Sequence, residues 1–403
     1  MTLRDRAAVV GVGATPYYRR GASYPRTPLE MACTATLDAL EDAGLTLSDL
    51  DGFSLYAHGG GLDPATLAYT LGVPDVRFAT MLTSGGGGSA GALGLAAAAI
   101  DAGLATTVVT VMSIQQRQRR LGRSFDPHAR AGAPPAGAPA PVPAPVTPGA
   151  ALRANSGLLA PGHLFSLVAR RHMHLYGTTR EQFAEVCMST RDNAVRRPDT
   201  ALQTTPLTLD DYFAVRMVSD PLCLYDYTLE SDGAVAVVTV AADRARDLRR
   251  PPVYISASTH GGDGRWSYGT QAPDHEYASA GGRTVARHLY EMAGIAPSDV
   301  DVALLYDHFS PMVILQLEDF GFCPVGEGGP FVGDGNIRWK TGTIPVNTHG
   351  GHLSEAYIIG MTHVREAVEQ LRGTAVNQVD GAEVALVTGG PEALPVSAAV
   401  LHR

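Results

Sequence analysis

"EDAGLTLSDLDGFSLYAHG" (41–59) and "EMAGIAPSDVDVALLYDHF" (291–309) are two stretches of the same chain, and they decide its fold. Aligned without a gap, they share nine identities in nineteen positions. Any strand–helix–strand unit gives some similarity of this kind. The shared residues, however, include polar ones such as Asp49 and Asp51, which hydrophobic packing alone does not require. The repeat therefore predicts an internal duplication and two similar halves, 1–250 and 251–403.

The elements around the repeat alternate between strand and helix. The first half predicts strands at 7–12, 51–57 and 105–113, and helices at 28–43 and 88–103. Gly44 stands where a helix ends in a left-handed residue. In the second half a strand begins at 252–258, and "HVREAVEQLRG" (363–373) and the strand at 384–390 correspond to 96–103 and 107–113. This alternation predicts an α/β fold made of two βαβαβ-type halves.

The first half is longer than the second, which predicts a long loop insertion over about 114–245. Its Ala/Pro-rich stretch, 131–150, cannot bury a core and is expected to be extended or disordered. The rest of the insertion returns to helix, most clearly at 181–195. We expect this insertion to shape the substrate pocket.

Composition narrows the function classes. The chain has 403 residues, 45% hydrophobic and 18% charged, which is ordinary for a globular protein. The net charge of −9, without a long basic block, argues against a nucleic-acid partner. The densest basic cluster is either a solvated face or a patch for an anionic cofactor, and it consists of Arg117, Arg119, Arg120 and Arg123.

Cysteine spacing and hydropathy bear on the compartment. The four cysteines show no C-x-x-C spacing, so neither a metal site nor a disulfide framework is expected. No signal peptide opens the chain, and its longest apolar stretch, 90–100, is far shorter than a membrane span. These features predict a cytoplasmic protein without a membrane span.

Three long stretches resemble the thiolase superfamily, and within it the sterol-carrier-protein-x, or lipid-transfer-protein, branch. They are "RRHMHLYGTTREQFAEV" (170–186), "YDHFSPMVILQLEDFGFCPVGEGGPFV" (306–332) and "PVNTHGGHLSEAYIIGMTHVREAVEQLRG" (345–373). The resemblance implies a thiolase-like fold whose two halves pack in α-β-α-β-α layers. It also implies a homodimer.

The catalytic positions of a thiolase are changed in this chain. The nucleophilic cysteine falls at about Gly86, within "SGGGGSAG". The histidine of the Gly-His-Pro motif falls on Tyr357, and the second cysteine falls on Val387. The Asn-Glu or His-Asp pair falls on Tyr306 and Asp307. Because a thiolate is the species that attacks a thioester, acyl-enzyme chemistry is not expected.

Tyrosines at these positions are similar to those of the steroid side-chain-cleaving, thiolase-like aldolases. That resemblance implies a retro-aldol cleavage of a β-hydroxyacyl-CoA, often a steroid ester, to a ketone and a shorter acyl-CoA such as propionyl-CoA. Coenzyme A enters only as part of the substrate, so no cofactor and no metal are expected on the chain. The resemblance also implies a small partner, an oligonucleotide-binding-type (OB) fold with a zinc ribbon, belonging to an acyl-CoA hydratase subunit.

A retro-aldol reaction needs a base for the hydroxyl proton and a donor for the enolate oxygen. We assign Tyr357 as the base and Tyr306 as the acid or enolate donor, with Asp307 and His308 orienting them. A phenol is a poor base at neutral pH, so a neighbouring imidazole is expected to lower its pKa or relay the proton. The expected substrate-binding residues are Asn347, His349, His352, Gly86 and His58.

Two other functions are compatible with the sequence. One is an acyltransferase or Claisen-type enzyme with a displaced nucleophile. The other is a non-catalytic scaffold that binds acyl-CoA or sterol, although polar residues at the reactive positions argue against it. Fold alone does not decide among these functions.

Overall fold

A computed structural model describes residues 3–56, 62–83, 85–116, 151, 155–198, 200–262, 278–391 and 395–403. Three sets of predicted features lie outside these ranges: His58, the arginine cluster at 117–123, and the Ala/Pro-rich stretch at 131–150.

Strands and helices alternate along the described chain. The strands are β1 Ala7–Ala14, β2 Tyr18–Arg19, β3 Gly52–Tyr56, β4 Phe78–Leu82, β5 Thr107–Ile114, β6 Met217–Ser219, β7 Leu222–Cys223, β8 Ser231–Ala241, β9 Val253–Gly261, β10 Val302–Leu304, β11 Val384–Gly389 and β12 Val396–His402. The α-helices are α1 Pro28–Ala43, α2 Pro64–Leu71, α3 Gly88–Asp101, α4 Pro161–Tyr176, α5 Arg180–Val195, α6 Leu209–Ala214, α7 Ala242–Ala245, α8 Arg283–Ala293, α9 Ser310–Asp319, α10 Gly328–Gly333 and α11 Met361–Arg372.

The strands of the two halves follow the same order. In the first half the order is β4-β3-β5-β8-β1, with β4, β3 and β5 parallel and β8 antiparallel to both β5 and β1. In the second half β10-β11-β12-β9 repeats the last four positions with the same directions. A parallel bridge between Ala303 and Val346 takes the place of β4. The halves join where β1 pairs with β9 through Ala8 and Val9.

The polar residues of the sequence repeat perform the same task in each half. Asp49 accepts the N–H of Thr46, and Asp299 accepts the N–H of Ala296, so each carboxylate closes the turn after its helix. The helices before these turns, α1 and α8, end at Gly44 and Gly294, with φ of 74° and 68°. These positive φ values are the reason that glycine recurs there.

The second aspartate of each repeat fixes the start of the neighbouring strand. Asp51 accepts the N–H groups of Thr106 and Thr107 at 2.9 to 3.0 Å, at the beginning of β5. Asp301 accepts the N–H groups of Glu383 and Val384 at 2.8 and 2.9 Å, at the beginning of β11. Hydrogen bonding therefore explains polar identities that packing does not.

Helices α3 and α11 form a central layer between the two halves of the sheet. Helix α3 contacts β3, β5 and β8 of the first half and β9, β11 and β12 of the second. Helix α1 covers the opposite face of the first half, and α8 covers the opposite face of the second. The mixed α/β fold with α-β-α-β-α layering is thus as predicted. Within the described ranges, no helix has the length and apolarity needed to cross a membrane.

The insertion does not extend as far as the sequence suggested. Strand β8 lies inside the predicted 114–245 segment, yet it occupies the sheet between β5 and β1. All but one of its residues are buried. The segment added to the first half therefore ends before Ser231. Its described helices, α4 and α5, pack against the second half through α9, and α5 also contacts α10.

Candidate active site

Two buried phenols meet where the central layer reaches the second half. Tyr306 follows β10, and Tyr357 follows a five-residue π-helical turn, Gly351–Glu355. Their hydroxyl oxygens lie 2.8 Å apart, which is a hydrogen bond in which either can be the donor. Tyr306 is 1% exposed and Tyr357 is 6% exposed. The structure thus brings together the two residues to which the sequence assigned the chemistry.

Gly86 lies against this pair, just before α3. A Cβ atom added at Gly86 would fall 2.5 Å from the hydroxyl oxygen of Tyr306. No side chain fits there unless the phenol moves. The space that a side chain at Gly86 would need is therefore filled by the Tyr306 hydroxyl.

The electrostatics of the site favour a neutral Tyr306. Burial raises its pKa well above the ordinary value, and the charge and hydrogen bond of Tyr357 add to the shift. The nearby imidazoles do not oppose this change, because burial lowers the pKa of His352 and His349 well below the usual range and keeps both rings neutral. The imidazole assistance that the sequence predicts concerns the phenol base, Tyr357, and for that residue it stays a prediction. Tyr306 itself is suited to donating a hydrogen bond.

Asp307 holds the turn that carries Tyr357. Its two carboxylate oxygens accept the main-chain N–H groups of His352, at 2.9 Å, and Leu353, at 3.3 Å. A Cβ at Gly351, where φ is +61°, would fall 2.1 Å from the same carboxylate. The orienting role predicted for Asp307 is consistent with these contacts, and it acts on the backbone of the turn.

His352 lies between the phenols and a second histidine, His363. Its ring centroid is 4.5 Å from that of Tyr306, 4.8 Å from that of Tyr357 and 4.1 Å from that of His363. Its Nε2 accepts the N–H of Gly360 at 3.2 Å, so the neutral ring carries its proton on Nδ1. His352 Nε2 is therefore already occupied by a main-chain N–H. The substrate-binding role predicted for His352 depends on where the ring lies.

A potential metal-ligand group lies behind Tyr306. Asp307, His352 and His363 offer ligand atoms within 4.8 Å of one another, and all three are buried. The same atoms already engage one another: His363 Nε2 is 3.2 Å from Asp307 Oδ1 and 2.9 Å from the carbonyl oxygen of Leu305. His352 Nδ1 lies 3.3 Å from the same carboxylate oxygen. Of the two imidazole atoms that face Asp307, His363 Nε2 is hydrogen-bonded to the Leu305 carbonyl, and His352 Nδ1 has no hydrogen-bond partner among the described residues.

The two residues expected to bind the thioester have side chains that contact other parts of the protein. Both side-chain atoms of Asn347 bond to the main chain of Leu305, each at 2.8 Å, so its amide is already used in the fold. The ring of His349 lies 4.7 Å from that of His363, on the side of Glu355. Sequence position alone gave no information on these directions, and the binding role of Asn347 stays a prediction.

A buried ion cluster continues beyond His349. Arg197 contacts Glu355 at 3.3 Å, Glu366 at 3.1 Å and Glu369 at 3.5 Å. Burial raises the pKa of Glu355 to about 7, although Arg197 pulls in the opposite direction. Glu355 is therefore a carboxyl group that exchanges its proton near neutral pH.

Sequence reasoning missed two residues of the site. Tyr56, the repeat counterpart of Tyr306, donates its hydroxyl to the carbonyl of Ile359 at 2.6 Å and so supports the loop after Tyr357. The repeat itself could have indicated this tyrosine. His363 lies in the helical pattern of α11, where an inward-facing histidine gives no separate signal.

Comparisons with known proteins agree with this geometry. A family described as thiolase C-terminal domain-like matches residues 267–402. The chain is 36% identical, over 99% of its length and all of the relative, to a 17-hydroxy-3-oxo-4-pregnene-20-carboxyl-CoA lyase of Mycobacterium tuberculosis. It is 36% identical, over 99% of its length and 98% of the relative, to a steroid side-chain-cleaving aldolase of Thermomonospora curvata.

The chain belongs to the family of thiolase-like aldolases. A solved structure titled Ltp2-ChsH2(DUF35) aldolase superposes on it with a TM-score of 0.88 and 35% identity, covering 100% of this chain and 99% of the other. The predicted resemblance and the predicted enzyme class, a carbon–carbon lyase, are confirmed. In this thiolase-like aldolase, the phenol pair lies beside Gly86.

Proposed function

We propose that this protein cleaves a β-hydroxyacyl-CoA, a steroid side-chain ester, by a retro-aldol reaction to a ketone and a shorter acyl-CoA such as propionyl-CoA. The observation that carries the proposal is the 2.8 Å contact between the Tyr306 and Tyr357 hydroxyls, seated where Gly86 leaves no nucleophile. The names of the two relatives, both enzymes of steroid side chains, support the substrate class.

In the proposed mechanism Tyr357 accepts the proton of the substrate's β-hydroxyl. The Cα–Cβ bond then breaks, the β-carbon becomes a ketone, and the electron pair passes to the thioester as an enolate. Tyr306, kept neutral by its raised pKa, donates a hydrogen bond to the enolate oxygen. As Tyr357 takes the β-hydroxyl proton it passes its own phenolic proton along the hydrogen bond to Tyr306, and the proton of Tyr306 goes to the α-carbon, so the shorter acyl-CoA is completed and both phenols end neutral. Because the two phenols are bonded to each other, a proton taken by one can be passed to the other.

The acyl-transfer alternative would need another nucleophile near Gly86. Ser89, in the first turn of α3, has a buried hydroxyl that makes no hydrogen bond. Without a base in contact, a serine hydroxyl is a weak nucleophile. This favours the lyase over the transferase, and a reactive pair of phenols argues equally against a non-catalytic scaffold.

The assembly and setting are further parts of the proposal. The structure titled Ltp2-ChsH2(DUF35) supports a complex of this chain with a DUF35-type partner, an OB-fold and zinc-ribbon protein of a hydratase subunit. We further propose a homodimer, a cytoplasmic location and no cofactor beyond the coenzyme A of the substrate.

The function can be tested with the full chain, co-expressed with its DUF35-type partner where the isolated chain is insoluble. The probe is 17-hydroxy-3-oxo-4-pregnene-20-carboxyl-CoA, the ester in the name of the Mycobacterium tuberculosis relative. We expect the 17-ketone and propionyl-CoA in equal amounts, with no dependence on free coenzyme A. An acyl adduct on the protein by intact mass spectrometry, or thiolysis by free coenzyme A, would contradict the lyase.

A further inference from the structure

His308 differs from the other buried histidines of the site. His349, His352 and His363 are at most 1% exposed, whereas His308 is 8% exposed. It lies beside the catalytic pair, with its ring centroid 5.3 Å from that of Tyr306. Of these four histidines His308 is therefore the most exposed, although both of its ring nitrogens are buried.

Neither ring nitrogen of His308 makes a hydrogen bond of good geometry, although the ring lies close enough to the Tyr306 carbonyl to interact with it. An imidazole buried in this way carries a desolvation cost that a native structure normally offsets with a partner. Burial lowers the pKa of His308 to about 3, although the Tyr306 carbonyl opposes the change. The ring is neutral at pH 7, with one nitrogen donating and the other accepting. Such a group suits an uncharged hydroxyl or ketone better than a phosphate or a carboxylate.

The surroundings of His308 are aromatic. Phe165, on α4, meets the His308 ring edge-to-face at 4.3 Å and stacks on Phe309 at 4.6 Å. Tyr227 packs edge-to-face on Phe309 at 4.9 Å. A flat apolar group next to these rings would gain from burial, so the neutral polar contact lies at the edge of an aromatic wall.

We propose that His308 binds the oxygen that begins as the substrate's tertiary β-hydroxyl and ends as the ketone, and that it selects substrates carrying that oxygen. This inference rests on the proposed retro-aldol function. His308 transfers no proton in this role. Its ring N–H donates to that oxygen, first as the hydroxyl and then as the ketone, while Tyr357 takes the hydroxyl proton. The aromatic wall of Phe165, Phe309 and Tyr227 holds the ring from which the oxygen projects.

The test compares binding of two esters, 17-hydroxy-3-oxo-4-pregnene-20-carboxyl-CoA and its 17-deoxy counterpart. Kd is measured by calorimetry on the full chain with its DUF35-type partner, in a Tyr357→Phe background that slows cleavage. We expect His308→Phe to weaken the hydroxy ester about tenfold and to leave the deoxy ester within about twofold. His308→Gln keeps a donor and an acceptor and should recover most of the lost affinity.

A second readout separates this role from a structural one. Because His308→Phe removes two unpartnered polar atoms from aromatic surroundings, it should keep or raise Tm. Equal weakening of both esters, or no change for either, would overturn the proposal, and so would a loss of Tm on its own. Binding needs no turnover. A wild-type protein that binds the hydroxy ester more tightly than the deoxy ester, yet cleaves neither, would therefore contradict the lyase assignment. It would not contradict the role of His308 in binding the oxygen.

Discussion

Tyr56 and Tyr306 occupy the same position in the two halves, and their hydroxyls have different partners. The hydroxyl of Tyr56 donates to a main-chain carbonyl, that of Ile359, at 2.6 Å. The hydroxyl of Tyr306 bonds to another phenol, Tyr357, at 2.8 Å. Both side chains are buried, and burial raises the pKa of both. The partner of the hydroxyl, rather than its burial, therefore separates Tyr56 from the tyrosine that we propose to be catalytic, Tyr306.

The largest expected effect contrasts these two positions. Tyr306→Phe and Tyr357→Phe should each lower kcat by about 10²-fold or more, because each removes a group that handles a proton or the enolate. Tyr56→Phe should lower kcat less than tenfold and cost about 1–2 kcal/mol of stability, since it leaves the Ile359 carbonyl without its donor. Steady-state kinetics and chemical denaturation measure the two effects. A Tyr56→Phe variant as slow as Tyr306→Phe would break the distinction.

A substitution at Gly86 tests the position of the Tyr306 hydroxyl without changing Tyr306 itself. Gly86→Ala places a Cβ against the Tyr306 hydroxyl, at 2.5 Å if nothing moves. We expect a loss of more than tenfold in kcat, and about 1–3 kcal/mol of destabilisation from overpacking. Gly103→Ala is a matched control for stability alone, because a Cβ there meets nothing within 4 Å although φ is +72°. Normal activity in Gly86→Ala would show that the phenol does not need its observed position.

The ion cluster behind the site should give a pH-dependent effect on stability. The pKa of Glu355 is about 7 in the folded protein, above its unfolded value, so its contribution is fully present at low pH and is lost as the pH rises through 7. Glu355→Gln removes this loss. Its free energy of unfolding relative to wild type should therefore rise between pH 5 and pH 8, by an amount on the order of 2–3 kcal/mol, and its Tm relative to wild type should rise with it.

Glu369→Gln provides the control, because it removes another partner of Arg197 from a position that is 20% exposed. Thermal unfolding at the two pH values measures both variants. A Glu355→Gln variant whose Tm difference from wild type is the same at pH 5 and pH 8 would contradict the raised pKa.

The smallest expected effect tests whether the repeated aspartates, Asp51 and Asp301, contribute equally to stability. Asp51→Ala and Asp301→Ala each remove the acceptor for two main-chain N–H groups, and each should cost about 1–2 kcal/mol. Asp51→Ala should cost more, because Asp51 also accepts the hydroxyl of Thr106 at 2.9 Å. Urea denaturation measures both. If only one of the two variants loses stability, the repeat preserves the fold of the two halves without preserving the stabilising role of the aspartate.

Local signals predicted the fold well where they were strong. The apolar spacing of 28–43 and the glycine after it gave α1 with its observed bounds. Strand β8 was missed, because its small apolar residues, "GAVAVVTVA", fit a buried strand and a buried helix equally well. Only the pairing with β1 and β5, which involves distant residues, decides between them.

The site was predicted less evenly. Counting from the thiolase motifs found Tyr306, Tyr357 and Gly86, which lie together. Counting gives no side-chain direction, so Asn347 was assigned to the substrate although its amide bonds to Leu305. The neutral state of the histidines could not be predicted from the sequence either, because it results from burial by residues that are distant along the chain.

The measurement that tests the central claim most directly is a double-mutant cycle on the two phenols. kcat is measured for Tyr306→Phe, Tyr357→Phe and the combined variant on the same β-hydroxyacyl-CoA. If the bonded pair acts as one unit, the combined variant should be about as slow as the slower single variant. Losses that multiply would mean two independent phenols, and near-wild-type rates in either single variant would contradict the account.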